Sequence, residues 1–299
     1  MKKAGVAVVG YGNIGRCAME SLEHAPDMEC VGVVRRSGSA EGISGLSAYR
    51  VVTDIGELEG VDVALLCVPS RMVRGTALKC LSRGINTVDC FDIHADVVAL
   101  RAELAAVAKA SGAVGVMAAG WDPGSDSVVR TLFKALAPGG VTYTNFGPGR
   151  SMGHTVAARA VKGVKDALSI TMPLGNGVHG RLVNVELEDG AVFAEVEEAI
   201  KSDPYFASDR TEVREVECVA ALNTLEHGVN MVRDGISGCT AGQKFQFDMK
   251  INNPALTAQV MVAAARASLL REPGCYTLIE IPPLDLLPGN REALIGELV

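Results

Sequence analysis

Near its start this chain has a short apolar run that stops at a cluster of glycines. Residues 3–9 read as a buried strand, and Gly10-Tyr11-Gly12-Asn13-Ile14-Gly15 follows at once. A helical pattern comes next, then a second strand pattern at residues 28–34, ending in Arg35-Arg36. G-x-G-x-x-G alone is common; between a strand and a helix it has a structural meaning. Gly10 permits the tight turn, Gly12 lets the backbone approach a pyrophosphate, and Gly15 lets the helix lie close to the strand. The helix N-terminus then offers its free N–H groups to phosphate. An NAD site usually places Asp or Glu on the ribose about 20 residues past the last glycine. Arg35 and Arg36 stand there instead, and two guanidinium groups suit the 2′-phosphate of NADP(H). The same loop could hold a flavin or S-adenosylmethionine, and the arginines could be solvated surface charge.

At 299 residues the chain is long enough for two domains, each with its own core. Its 48% hydrophobic and 21% charged residues are those of a globular protein. A net charge of −7 argues against nucleic-acid and membrane-surface partners. An anionic cofactor would therefore depend on local positive features. The N-terminus begins Met1-Lys2-Lys3, but the apolar run behind it breaks at Gly10, unlike a signal peptide. No stretch approaches the ~20 apolar residues of a membrane helix. The eight cysteines form no C-x-x-C pair, so neither a zinc knuckle nor a redox pair is indicated. Buried thiols in a reduced, cytoplasmic protein are the simplest expectation.

Strand and helix patterns alternate through the first 120 residues. Residues 61–68, 85–89 and 114–118 read as strands, and 72–82 and 96–111 as helices. This implies an α/β fold with a Rossmann-type, doubly wound parallel sheet, whose ligands bind beyond the carboxyl ends of the strands. Those ends carry the glycine loop, Arg35-Arg36, Cys67-Val68-Pro69-Ser70, Phe91-Asp92 and Gly120-Trp121-Asp122. Beyond Asp122 the texture changes. Pro123 suits the first turn of a helix running to residue 136. Strand patterns follow at 141–146, 167–172, 181–187, 213–219, 229–233 and 244–251, with a helix at 193–201 among them. They predict an α+β domain with a mixed, largely antiparallel sheet. The expected division is a nucleotide domain at 1–120, a substrate and dimerisation domain at 121–253, and a segment at 254–299 packing back on the first. Pro254 opens a helix to about residue 270. The Gly/Ser-rich residues 37–47 form a loop near the 2′-phosphate position.

Two carboxylates, Asp92 and Asp122, follow strands of the nucleotide domain. Beside a nicotinamide they suit a substrate ammonium group and one could take its proton; Asp92 is the expected proton acceptor, with Asp122 holding the amine. Each could instead cap a helix, and Asp122 directly precedes Pro123, an N-cap signature. The glycine-rich residues 147–154 read as a turn that could touch substrate. Arg181 could be a solvated charge or the bidentate partner of a substrate carboxylate. His227 could be a packed residue or a ligand. The histidines show no H-E-x-x-H spacing, so no catalytic metal is expected.

Taken together, these residues resemble the meso-diaminopimelate D-dehydrogenase family, essentially end to end. The resemblance rests on Val9-Gly10-Tyr11-Gly12-Asn13-Ile14-Gly15-Arg16, Val33-Val34-Arg35-Arg36, Leu66-Cys67-Val68-Pro69-Ser70 and Phe91-Asp92-Ile93-His94. Ala119-Gly120-Trp121-Asp122-Pro123-Gly124, Asn145-Phe146-Gly147-Pro148-Gly149 and Ile251-Asn252-Asn253-Pro254-Ala255 complete it, and Gly-Trp-Asp-Pro-Gly and Asn-Asn-Pro-Ala are its specific parts. The resemblance implies NADP-linked, reversible oxidative deamination of the D-centre of meso-2,6-diaminopimelate, releasing ammonia. The product, L-2-amino-6-oxopimelate, cyclises to tetrahydrodipicolinate, and the reverse reaction serves lysine and cell-wall precursor synthesis. It also implies a homodimer. Asp92, Trp121, Asp122, Met152 and Gly153 would surround the D-centre, and Phe146 would line the cavity. Thr171, Arg181, His227 and Asn253 would hold the distal L-centre. The chain looks like the shorter form of the family, with Met152 where longer members carry Gln. That difference implies a broader choice of D-amino acids or 2-keto acids.

Two other readings fit the same opening. A related NADP-dependent reductase of dihydrodipicolinate or homoserine type would share the architecture. A non-catalytic NADP(H) sensor would need no organised second site.

Overall fold

The computed structural model describes residues 3–43, 45–222 and 227–299, with the side chain of Met152 also left undescribed. Ser44, within the expected 37–47 loop, is therefore outside the described residues. By packing, the chain divides into two compact units, Met1–Thr131 with Pro254–Val299, and Leu132–Asn253.

The first unit begins with β1 (Ala4–Val9), α1 (Asn13–Glu23), β2 (Met28–Val34), β3 (Val51–Val52), β4 (Val63–Leu66) and α2 (Ser70–Leu81). It continues through β5 (Asn86–Asp89), α3 (Val97–Ser111) and β6 (Val114–Met117) into α4 (Ser125–Leu136). The strands form one parallel sheet in the order β3-β2-β1-β4-β5-β6, to which β14 (Gly274–Thr277) adds beyond β6. Successive residues of each strand feed opposite faces. In β1, Val6 and Val8 join one core while Ala7 and Val9 join another; in β4, Val63 and Leu65 divide from Ala64 and Leu66 in the same way. The first core is closed by α1 and by α7 (Asn253–Ser268), and the second by α2 and α3. Covering both faces explains why these strands are nearly all apolar.

The second unit contains β7 (Gly139–Phe146), β8 (Gly149–Arg150), α5 (Met152–Arg159), β9 (Val164–Gly175), β10 (Val178–Leu187), α6 (Phe193–Ser202), β11 (Arg210–Glu215), β12 (His227–Ser237) and β13 (Thr240–Ile251). Its sheets run β11-β10-β9-β8 and β13-β12-β7, antiparallel except for the β10–β11 pair. β9 and β10 extend past their expected ends because Asn176-Gly177 closes a two-residue hairpin, both residues at positive φ. Asn-Gly is a strong hairpin signal that the strand reading overlooked.

Three local expectations need correction. The strand expected at 213–219 ends at Glu215, and Val219–Leu222 is a 3₁₀ turn tied to β10 by the Val219 N–H on Glu186 Oε2. The 147–154 turn contains a strand, β8, paired with β9, and then opens α5. Pro123 does not open a helix. Residues 120–124 fold back on themselves, with Ser125 N bonded to Gly120 O and Asp126 N to Trp121 O, so α4 starts at Ser125. This turn stays bonded to the strand ends, Ala119 N to Asp89 O, which carries the first unit past the boundary expected at 120. The last α-helix, α8 (Arg291–Leu298), ends the first unit.

Candidate functional site

The glycine loop lies between β1 and α1. Gly10 has φ +96°, and a Cβ there would lie 2.4 Å from Cys67 O. A Cβ on Gly15 would lie 2.2 Å from Gly10 O, so helix and strand touch as the spacing requires. Gly12 is different: it precedes α1 with no side-chain cap, and a Cβ there would meet nothing within 4 Å. Its open face and the uncapped N–H groups behind it form a cradle for an anion.

A cavity of about 990 Å³ opens at this cradle. Gly10, Tyr11 and Gly12 form one part of its wall and Arg35 and Arg36 another. Cys67, Val68 and Pro69 also line it, whereas Asn13, Ile14, Gly15, Ser70, Phe91 and Asp92 do not. Asn13 turns its amide oxygen to Arg16, and Ile14 packs on the core. Arg35 is itself held by the following loop, donating from Nη1 to Ser39 O at 2.6 Å. The motif reading missed Arg71, which lines the same cavity from the first turn of α2. Its signal was a basic residue two places after the strand-end Pro69.

At the next strand ends a buried carboxylate organises the chain. Asp89, 1% exposed, accepts from Phe91 N at 3.0 Å and Ala118 N at 3.1 Å, joining the loops after β5 and β6. Burial pushes its carboxyl up to about 6. Phe91 is packed in the apolar core. Asp92 stands exposed beside it and caps no helix with its side chain. Instead Ser70 Oγ donates to Asp92 Oδ1 at 2.5 Å and accepts from Asp92 N at 3.3 Å. Ser70 follows the cavity-lining Pro69, so Asp92 is one hydrogen bond away from a residue next to the cavity wall. Trp121 is buried, and Asp122 is partly buried. The Asp122 carboxylate accepts from Arg130 Nη2 at 3.3 Å, so its partner is a guanidinium on α4. Nearby thiols are inert to base at neutral pH: burial pushes Cys67 well up and Cys90 to about 12.

The second unit gathers a separate polar cluster. Thr171 on β9 lies directly opposite Arg181 on β10 and opposite Gly149 on β8. Arg181 Nη1 donates to Thr171 Oγ1 at 2.5 Å and its Nε to Asp209 Oδ2 at 2.6 Å, with the arginine side chain 10% exposed. Arg181 is thus a held, nearly buried guanidinium. His154 Nε2 lies 3.5 Å from Asp209 Oδ2, and its Nδ1 bonds Ser151 Oγ at 2.8 Å. Burial first, then the Arg181 charge, hold the His154 imidazole below its ordinary value. His227 opens β12 against Gly149, where a Cβ would lie 2.8 Å from the His227 ring. Phe146 ends β7, Met152 and Gly153 open α5, and Asn253 opens α7. Thr171, Arg181, Gly149 and His227 therefore form one neighbourhood. Asp209 was not singled out by sequence, because it carries no motif, and His154 was read only as the end of the 147–154 turn.

Comparison with known proteins agrees with this layout. A family model described as the diaminopimelic acid dehydrogenase C-terminal domain matches residues 120–179, and a CoA binding domain model matches 1–94. The meso-diaminopimelate D-dehydrogenase of Bacteroides fragilis is 59% identical over 299 residues, the full length of both chains. The structure of the C. glutamicum DAP dehydrogenase in complex with DAP superposes with a TM-score of 0.83 at 29% identity, covering 100% of each chain. An engineered D-amino acid dehydrogenase bound to NADP+ superposes with a TM-score of 0.78 at 28% identity, again over 100% of each chain. Fold, strand-end residues and full-length identity agree, and this chain belongs to the meso-diaminopimelate D-dehydrogenase family.

Proposed function

We propose that this chain catalyses the NADP-dependent, reversible oxidative deamination of the D-centre of meso-2,6-diaminopimelate, giving L-2-amino-6-oxopimelate and ammonia. The observation that carries this reading is the hydrogen bond tying Asp92 to Ser70, the residue after Pro69 in the wall of a cavity that the glycine cradle, Arg35 and Arg36 also line. The cradle fits a dinucleotide: the open face of Gly12 leaves room for a pyrophosphate, and the two arginines supply positive charge for a 2′-phosphate. Bound there, NADP+ would supply the hydride acceptor. The chain's own residues do the rest. Asp92 and Asp122 grip the D-ammonium as charged acceptors. Thr171, Arg181, His227 and Asn253 hold the distal amino-acid end, with Arg181 pre-oriented by Asp209 so that little side-chain entropy is lost when a carboxylate arrives.

In the reverse direction the same groups serve reductive amination, and 2-keto acids that yield D-amino acids are further substrates. We assign the first unit to the cofactor and the second to substrate and dimerisation. The exposed Val141 and Ile236 on neighbouring strands of the three-stranded sheet support a homodimer, and the reduced, unpaired cysteines suit the cytoplasm. No described helix is long and apolar enough to cross a membrane. The test is NADPH formation with the meso, LL and DD isomers at alkaline pH. The meso form should turn over and the LL form, which lacks a D-centre, should not. No turnover of the meso form would overturn the reading.

A further inference from the structure

Asp126 is a second carboxyl behind Asp122, and the site as described above does not use it. It is the second residue of α4 and is fully buried. Arg130, one helical turn on, places Nη2 2.5 Å from Asp126 Oδ2 and 3.3 Å from Asp122 Oδ1, so one guanidinium nitrogen spans both carboxyls. Ser127 Oγ lies 3.4 Å from Asp126 Oδ1, and the shared guanidinium nitrogen keeps the Asp122 and Asp126 carboxyls side by side. The fold-back of residues 120–124 brings them together, and a Cβ on Gly124 would lie 1.8 Å from Gly120 O.

We propose that Asp126 is a positioning residue that acts through Asp122, holding the proton that the substrate's D-ammonium must lose before oxidation. This rests on the activity proposed above. An N–H bond of the ammonium breaks, an O–H bond forms on Asp122, and the electron pair stays on nitrogen. The proton then crosses to Asp126 as the Asp122 O–H bond breaks, which restores an ionised carboxylate facing the amine. No oxidant is needed for this step. Hydride loss follows, with the NADP+ of the proposed function as acceptor.

The electrostatics match the task. Burial, then the charge of Asp122, push the Asp126 carboxyl up to about 7, against the pull of Arg130. A proton acceptor near 7 binds its proton about a thousandfold more tightly than an ordinary aspartate near 4. The groups facing Asp126 are Asp122 from the preceding turn and Arg130 and Ser127 from its own helix. From the other elements packed on this turn come Thr257 of α7 and the thiol of Cys90, both beside Gly120 and both uncharged near neutral pH. Sequence alone pointed to Asp92 for the amine proton; this arrangement leaves Asp92 as a grip and routes the proton through Asp122.

The test compares the full-length enzyme with Asp126→Asn, which keeps shape and removes the titration. The wild type should show an acid limb near pH 7 in kcat/KM for meso-diaminopimelate. Asp126→Asn should lose that limb or displace it clearly along the pH axis, and kcat should fall by ~10-fold or more with NADP+ binding unchanged. An unchanged limb with kcat within about twofold, whatever the melting temperature does, would overturn the role of Asp126 alone. A wild type without turnover would overturn the proposed function and this inference together. If Asp126→Asn does not fold, infrared spectra of an Asp89→Asn enzyme decide, since that background lacks the other buried carboxyl with a raised value. A protonated-carboxyl band should disappear as pH rises through about 7, and its absence throughout would overturn the proposal.

Discussion

Asp89 shows how much one buried side chain can organise. It touches neither the cavity wall nor the outer surface, yet its carboxylate holds the N–H groups of Phe91 and Ala118, on the loops that carry Asp92 and Trp121-Asp122. Its cost is readable in pH. Because burial raises its folded value to about 6, above the ordinary carboxylate value, the native state binds this proton more tightly than the unfolded chain. Stability from this group is full below about pH 4, falls as pH rises to about 6, and stays reduced above that. Asp89→Asn keeps an acceptor oxygen for both amides and removes the titration. Its melting temperature should vary less than the wild type's between about pH 4 and 6. At higher pH it should show a relative gain of about 3 kcal/mol, since a tenfold difference in proton affinity is worth about 1.36 kcal/mol. Thermal melts across that range check it, and parallel curves for the two proteins would contradict it. The same residue scale contains the pairs that no motif announces, Arg181 with Asp209 and Asp126 with Arg130.

At the scale of elements, the β1–loop–α1 segment assigns different jobs to glycines that look alike in the motif. Gly15 is structural, since any Cβ would run into the Gly10 carbonyl at 2.2 Å. Gly12 is not, since a Cβ there would meet nothing and its φ of −86° is open to any residue. Gly15→Ala should therefore lower stability by about 1–3 kcal/mol, the usual cost of overpacking. Gly12→Ala should fold like the wild type but bind NADP+ at least ~10-fold more weakly, because the methyl occupies the approach of the pyrophosphate. Denaturant curves and cofactor titrations separate the two, and a swap of these effects would contradict the assignment. Elements also explain the misreadings. Pro123 carried a helix-start signal, but the hydrogen bonds that close residues 120–124 delay α4 to Ser125 and leave Asp122 bonded to Arg130 rather than capping its own helix.

At the scale of the molecule, an acidic chain must hold a polyanionic cofactor, so binding depends on where its positive groups stand. Arg35, Arg36 and Arg71 all line one cavity of a protein with net charge −7. A ligand that binds only the folded state at about 100 times its Kd adds about 2.7 kcal/mol of stability. NADP+ should therefore raise the melting temperature clearly, and NAD+ at the same concentration should raise it much less. Replacing Arg35 and Arg36 together by serine should bring the two cofactors close together, at ~1.5–3 kcal/mol for each lost hydrogen bond to charge. A surviving preference for NADP+ would move the 2′-phosphate to Arg71.

What the chain announces by itself is whatever depends on neighbours in sequence. The parallel α/β unit, the cofactor class and the strand-end positions of Asp92 and Asp122 were legible, because glycine spacing, apolar strands and a basic pair within one β-α-β unit are local requirements. The family resemblance added Thr171, Arg181, His227 and Asn253 as names without contacts. Only the tertiary structure decided that Arg181 is clamped by Asp209 and that Asp89 reaches across to the loop after β6. It alone showed that β14, from the far end of the chain, pairs with β6. Those contacts join residues 28 to 160 positions apart, and their meeting depends on strand register and sheet order, which no local pattern encodes.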